Sequence, residues 1–123
     1  MPDFNNDLDL TFLYEIADGS NEFIVESISM FIDQSPDILQ ELGSAISAGN
    51  WPQAALSAHK IKANLGFFGM LNSQALVQQI ESACKDGTAN GADLTAKYNQ
   101  VKSLISANLV ALKQIKTEKE NGI

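Results

Sequence analysis

Residues 54–70 read AALSAHKIKANLGFFGM, and this stretch decides the fold. Set on a helix at about 100° per residue, Ala58, Ile61, Leu65 and Phe68 gather on one side as a core stripe. His59, the single histidine of the chain, points the opposite way. Ala55, Lys62, Ala63 and Gly66 lie within about 60° of it. Three of these four are small. Glycine inside a helix costs about 1 kcal/mol against alanine, so Gly66 implies a close approach at that point. The stretch therefore predicts an imidazole on a shallow, bare patch, with one ammonium a turn away. Such a patch suits a nucleophile reached by a large macromolecule. The plainer reading is a surface histidine without chemistry, and neither the small collar nor Lys62 names a reaction.

Outward from this helix, apolar residues keep helical spacing nearly throughout, and strand alternation is absent. Leu10, Leu13, Tyr14 and Ala17 predict a short helix stopped at Gly19. Ser20 caps a second helix over about 21–34, with Ile24, Ile28, Phe31 and Ile32 apolar. Ser35-Pro36-Asp37 reads as a fresh helix start, and Gly49 as its end. Asn50 is the cap of the His59 helix, with Pro52 in its first turn. A break at residues 69–73 precedes a helix over about 73–86 with Leu76, Ile80, Ala83 and Cys84 apolar. After the turn at 87–91, Asp93 caps a long last helix carrying Leu94, Tyr98, Val101, Ile105, Leu112 and Ile115. Residues 1–7 and 117–123 read as flexible tails. Short loops make successive helices antiparallel neighbours. The expectation is all-α: an antiparallel up-and-down four-helix bundle with accessory N-terminal helices, in one domain over 1–123.

Composition narrows the function. The chain has 123 residues, 45% of them hydrophobic, with net charge −7. That charge, with no basic stripe, argues against nucleic acid and against an anionic membrane surface. No apolar run approaches the length of a spanning helix. The acidic, polar start MPDFNNDLD is not a signal peptide. The lone Cys84 cannot form an internal disulfide, which fits a cytoplasmic location. One histidine and one cysteine make tetrahedral zinc unsuitable, so no metal is expected. There is no phosphate-binding loop, hence no autonomous kinase. Residue 56, three before His59, is Leu, so the Glu-x-x-His motif of di-metal bundles is missing. Ser57 lies on a different part of the helix from His59, so no triad forms. Haem has no Cys-x-x-Cys-His motif to attach to.

The bundle geometry adds a second residue. If the chain reverses near Met70, His59 lies eleven residues before the turn and Glu81 eleven after it. The two should then stand level on adjacent helices. A carboxylate accepting from Nδ1–H would leave Nε2 outward as a nucleophile. Lys62 and Lys85 could then both lean toward a transferred anion, which is what phosphoryl transfer needs. The alternative is that Glu81 and Lys85 are a plain exposed i,i+4 pair.

The segment AHKIKANLGFFG resembles the signature of histidine-containing phosphotransfer (HPt) domains. That pattern runs Ala-His, a variable residue, an apolar residue, Lys, Gly, then a glycine ten after the histidine. Here these are Ala58, His59, Lys60, Ile61, Lys62, Ala63 and Gly69. FIDQSPDILQELGSAISAGNWPQAALSAH and IESACKDG resemble the family's flanking segments, so the likeness covers nearly the whole chain. It implies that His59 is phosphorylated, that Lys62 steadies the phosphate and that Glu81 orients the imidazole. Lys85 matches a basic position near the phosphoryl group. Ala55, Lys60, Ala63 and Gly66 would line the docking surface. Ala63 departs from the family's glycine; its methyl would narrow that surface slightly.

The implied activity is carriage of a phosphoryl group between receiver domains. Each receiver would supply its own acidic pocket and Mg²⁺, and the carrier would need no cofactor and no nucleotide site. The implied partners are response-regulator receiver domains and a hybrid sensor histidine kinase, met by a monomer. The N-terminal methionine favours a free-standing protein over a domain of a kinase. The alternative is a helical adaptor that docks a receiver without being phosphorylated.

Overall fold

The computed structural model describes residues 7–122. Five helices run in order among them: α1 (Thr11–Ala17), α2 (Asn21–Ala48), α3 (Trp51–Phe67), α4 (Leu71–Asp86) and α5 (Gly91–Asn121). Helices α2 to α5 form a ring in which α3 packs on α4, α4 on α5, α5 on α2 and α2 on α3. The contacts His59–Glu81, Lys62–Gln78 and Gly66–Gln74 step in opposite directions along α3 and α4, as antiparallel pairing requires. The fold is thus the all-α four-helix bundle that the sequence predicts. Its core is one cluster, with Leu13, Ile28, Leu42, Ile61, Leu65, Met70, Ile80, Leu94, Ile105 and Leu112 fully buried.

Three of the helices are capped by the side chain of the residue just before them. Ser20 Oγ accepts from the Phe23 amide at 3.1 Å, and Asn50 Oδ1 from the Gln53 amide at 3.3 Å. For α5 the cap is Asn90, whose Oδ1 accepts from the Asp93 amide at 3.0 Å. This corrects the expectation that Asp93 caps. Asp93 instead sits inside the first turn, where its charge suits the helix dipole, and pairs with Lys97 at 2.6 Å.

The expected break at Ser35-Pro36-Asp37 does not occur. Helix α2 runs unbroken for 28 residues through Pro36. Its buried positions Ile28, Phe31, Ser35, Leu39, Leu42 and Ile46 keep one phase across the proline. A break would rotate half of that stripe out of the core. Pro36 itself faces solvent. Burial of the stripe outweighs the missing amide, although a proline inside a helix costs about 3 kcal/mol. The bundle therefore has one accessory N-terminal helix, α1, and the second expected one is the front half of α2. The proline site keeps one defect. Ser35 Oγ is buried without a hydrogen-bond partner among the described residues.

The start of α4 also differs from expectation. The helix begins at Leu71, and Met70 in the capping position has no side-chain oxygen. The cap comes from Asp7. Its Oδ1 accepts from the Asn72 and Ser73 amides at 2.6 and 3.2 Å, and its Oδ2 from Ser73 Oγ at 2.5 Å. Asn108 of α5 donates to the Asp7 carbonyl at 3.2 Å. Asp7 is buried and so is no part of the expected tail; the rest of that expectation, residues 1–6, lies outside the described residues. At the other end α5 stays helical to Asn121, well into the expected tail over 117–123. The segment behind Asp7 passes tightly over Gly69, which has φ +67°. A Cβ there would collide with the Asp9 carbonyl, so no other residue fits.

Two stability changes follow. Ser35→Ala removes an unpaired buried hydroxyl and should raise stability by about 1 kcal/mol, read as a higher urea midpoint. A lower midpoint would mean that the hydroxyl has a partner. Asp7→Ala strips the cap of α4 and leaves the buried Ser73 hydroxyl unpaired, while Asn108 keeps its bond to the residue 7 carbonyl. It should cost about 2 kcal/mol or more in the same measurement.

Candidate functional site

The site stands on the outer face of the α3–α4 pair. The ridge of Ala58, Ile61, Leu65 and Phe68 is buried, which turns His59 to solvent with 65% of its side chain exposed. Glu81 lies directly across, and its side chain is only 3% exposed. It is the hub of the site. Oε2 meets His59 Nδ1 at 3.1 Å and Lys85 Nζ at 2.8 Å, while Oε1 takes Lys62 Nζ at 2.7 Å.

Burial alone would raise the Glu81 pKa. The hydrogen bonds from Lys62, Lys85 and His59, and the charge of Lys62, outweigh it and lower the value from 4.5 to about 2. The carboxylate is therefore an acceptor only. Nδ1 of His59 must carry the proton in that contact, and Nε2 faces out. Two ammonium groups against one carboxylate leave the site with excess positive charge, in a chain whose net charge is −7.

Helix α4 supplies two further side chains. Gln78 Oε1 accepts from Lys62 Nζ at 2.8 Å, and its Nε2 donates to Ser82 Oγ at 2.9 Å. Lys62 is thus held between Gln78 and Glu81. Gln74 Nε2 donates to the Lys62 carbonyl at 3.3 Å. From the sequence alone neither glutamine is assigned a task. The same count about Met70 that pairs His59 with Glu81 also pairs Lys62 with Gln78.

The structure sorts the expected docking residues. Ala63 is exposed on the His59 face. Ala55 is buried, so it offers a partner little surface. Gly66 is covered from within the molecule: a Cβ there would lie 2.6 Å from Gln74 Nε2. The close approach that Gly66 implies is therefore made by Gln74. Lys60 leans the other way and reaches Glu41 of α2 at 3.5 Å, both side chains well exposed. Cys84, one residue before Lys85, is partly buried, and burial pushes its thiol pKa up, so it is a poor nucleophile.

A shallow groove of about 350 Å³ beside the site is lined by Lys62, Leu71, Gln74, Ala75 and Gln78. A groove of about 960 Å³ runs between α2 and α5, across the ring from the α3–α4 face. His59 is exposed at the surface, where a partner that brings its own pocket can reach it. Among the described residues no three His, Cys, Asp or Glu side chains cluster as metal ligands. No helix of the described residues is long and apolar enough to cross a membrane.

The family model described as Hpt domain matches residues 26–115, from the second turn of α2 to the last third of α5. The chain belongs to the Hpt domain family. Searches of curated proteins and of solved structures give no significant match. Hpt domains are phosphotransfer carriers of phosphorelay signalling rather than catalytic enzymes, and they interact with receiver domains and kinases. In this Hpt domain the match takes in His59, Lys62, Gln78, Glu81 and Lys85, and leaves α1 outside.

The depressed Glu81 pKa links stability to pH. A group whose folded value lies below its unfolded one stabilises fully above the unfolded value. That stabilisation is lost as pH falls through the folded value. Wild type should therefore exceed Glu81→Gln in stability above pH 4.5, and the gap should close as pH falls toward about 2. Denaturant titrations of both proteins at pH 7, 4.5, 3 and 2 test this. A gap that stays constant would mean that Glu81 has no depressed pKa.

Proposed function

We propose that this Hpt domain is a phosphorelay intermediate in which His59 carries the phosphoryl group. The observation that carries the reading is the exposed His59 imidazole, held at Nδ1 by a buried carboxylate that two lysines also grip. In the neutral ring the Nε2 lone pair attacks the phosphorus of a receiver's aspartyl phosphate. The N–P bond forms as the acyl O–P bond breaks, and the aspartate leaves as a carboxylate. The Nδ1 proton stays on its Glu81 contact, which favours the positive ring that forms. Reversal onto the aspartate of a second receiver returns the domain to its starting state.

Lys62 and Lys85 are the charge stabilisers in this scheme. Phosphoryl transfer passes through a loose transition state with charge spread over the phosphoryl oxygens, so positioning and neutralisation do most of the work. Lys85 is 60% exposed and can swing outward, while Lys62 is 24% exposed and is held by Gln78 and Glu81. Mg²⁺ belongs to the receiver, and the carrier itself uses neither metal nor cofactor. The partners are receiver domains, and a hybrid sensor kinase where its receiver is the donor. The protein acts as a monomer in the cytoplasm.

The test is label transfer. Phosphorylated receivers from the same genome should label the wild type, and the adduct should be acid-labile and base-stable, as a phosphoramidate is. His59→Gln should abolish labelling at a stability cost of about 1 kcal/mol, since the side chain is mostly exposed and gives up one hydrogen bond to Glu81. Equal labelling of both proteins would sink the assignment. A wild type that binds a receiver tightly and takes no label would point to an adaptor.

A further inference from the structure

Lys62 is held at both ends. At the backbone, Gln74 Nε2 donates to its carbonyl at 3.3 Å. Gly66 gives that amide its place, since a Cβ there would lie 2.6 Å from Gln74 Nε2. At the head, Nζ donates to Gln78 Oε1 at 2.8 Å and to Glu81 Oε1 at 2.7 Å. Only 24% of the side chain is exposed, against 60% for Lys85.

An ammonium has three N–H donors and accepts nothing. Gln78 and Glu81 engage two of the three on Lys62. On a tetrahedral nitrogen, the stem and two fixed hydrogens leave one direction for the third. Gln78 thereby turns the end of a long, rotamer-rich side chain into a donor with a set aim. The amide is oriented in its turn. Its oxygen must face the ammonium, and its Nε2 donates to Ser82 Oγ at 2.9 Å, one turn along α4. Without Gln78 the ammonium would keep its anchor on Glu81 and rotate about it.

This anchor is also neutral. Glu81 already divides its charge among Lys62, Lys85 and His59. A second carboxylate at residue 78 would hold Lys62 as firmly, but it would offset the charge and repel a phosphoryl group. An amide fixes the ammonium and leaves its charge available where negative charge develops.

We propose that Gln78 is a positioning residue for phosphoryl transfer, which aims the Lys62 ammonium at the phosphoryl group without neutralising it. The inference rests on the carrier reading above. The N–P bond forms at His59 Nε2 as the O–P bond to the receiver's aspartate breaks, and negative charge spreads over the phosphoryl oxygens. Lys62 donates its remaining N–H to one of them and keeps the proton. Gln78 acts through Lys62, so its effect belongs to the transfer step and not to docking.

The experiment uses the receiver that labels wild type fastest. Initial transfer rates are measured against carrier concentration for wild type, Gln78→Leu, Gln78→Glu, Lys62→Ala and the double variant Lys62→Ala with Gln78→Leu. Residue 78 is exposed, and leucine suits a helix as well as glutamine does, so the fold should be kept. Gln78→Leu should lower the saturating rate about tenfold, the scale expected when a catalytic group loses its aim. Its half-saturating concentration should stay within about twofold of wild type. Gln78→Glu should be as stable as wild type and still transfer about tenfold slower or worse. In the Lys62→Ala background, Gln78→Leu should change the rate by less than about twofold, because the group it aims is gone. Thermal melts check each fold, and Gln78→Met stands in if Gln78→Leu unfolds. A wild-type saturating rate in folded Gln78→Leu, or a change confined to half-saturation, would overturn the positioning role and leave the carrier reading intact. So would an undiminished effect of Gln78→Leu on top of Lys62→Ala. A wild type that takes label from no receiver would overturn both.

Discussion

Glu81 is a carboxylate with almost no access to water, and three donors converge on it from two helices. A lone charge buried this deeply would be costly. Lys85 comes from Glu81's own helix, but His59 and Lys62 reach it only if α3 and α4 hold their antiparallel register. A slip of one residue would rotate Glu81 by about 100° away from both, leaving Lys85 alone to offset the charge. The arrangement therefore couples the site to the packing of the helix pair. The imidazole inherits its orientation from the bundle rather than from a loop.

The same contacts set the electrostatics. The carboxylate is shared among an imidazole and two ammonium groups, so it cannot fully neutralise either lysine. What remains is a small positive area around an outward nitrogen, on a protein whose overall charge is negative. Lys62 is fixed between Gln78 and Glu81, whereas Lys85 is long, exposed and tied at one atom. One cation is preorganised and the other is free to follow a group that arrives or leaves. The imidazole itself is exposed, which suits a carrier that must meet successive partners.

Elsewhere the bundle tolerates local defects where packing is strong. Pro36 and the unpaired Ser35 hydroxyl persist because the α2 stripe is continuous from Ile28 to Ile46. Asp7 serves the start of α4 across 65 residues of sequence, and with Asn108 it ties the N-terminal segment to both α4 and α5.

The sequence alone determined the helical class, the buried side of α3, the outward direction of His59 and the level of Glu81 on the next helix. Each follows from helical periodicity and from one reversal near Met70, both local properties of the chain. The HPt resemblance was equally legible, because it rests on residues close together around His59. Tertiary structure decided what local rules cannot see. Read locally, Ser35-Pro36-Asp37 is a start signal, and only the shared burial of both halves of α2 overrides it. Gly66 reads as room for a partner, and only the placement of Gln74 fills it. Asp7 reads as part of a polar tail, and only the chain's passage over Gly69 brings it to the uncapped end of α4. In each case the deciding energy comes from groups far apart in sequence, which periodicity and capping rules do not contain.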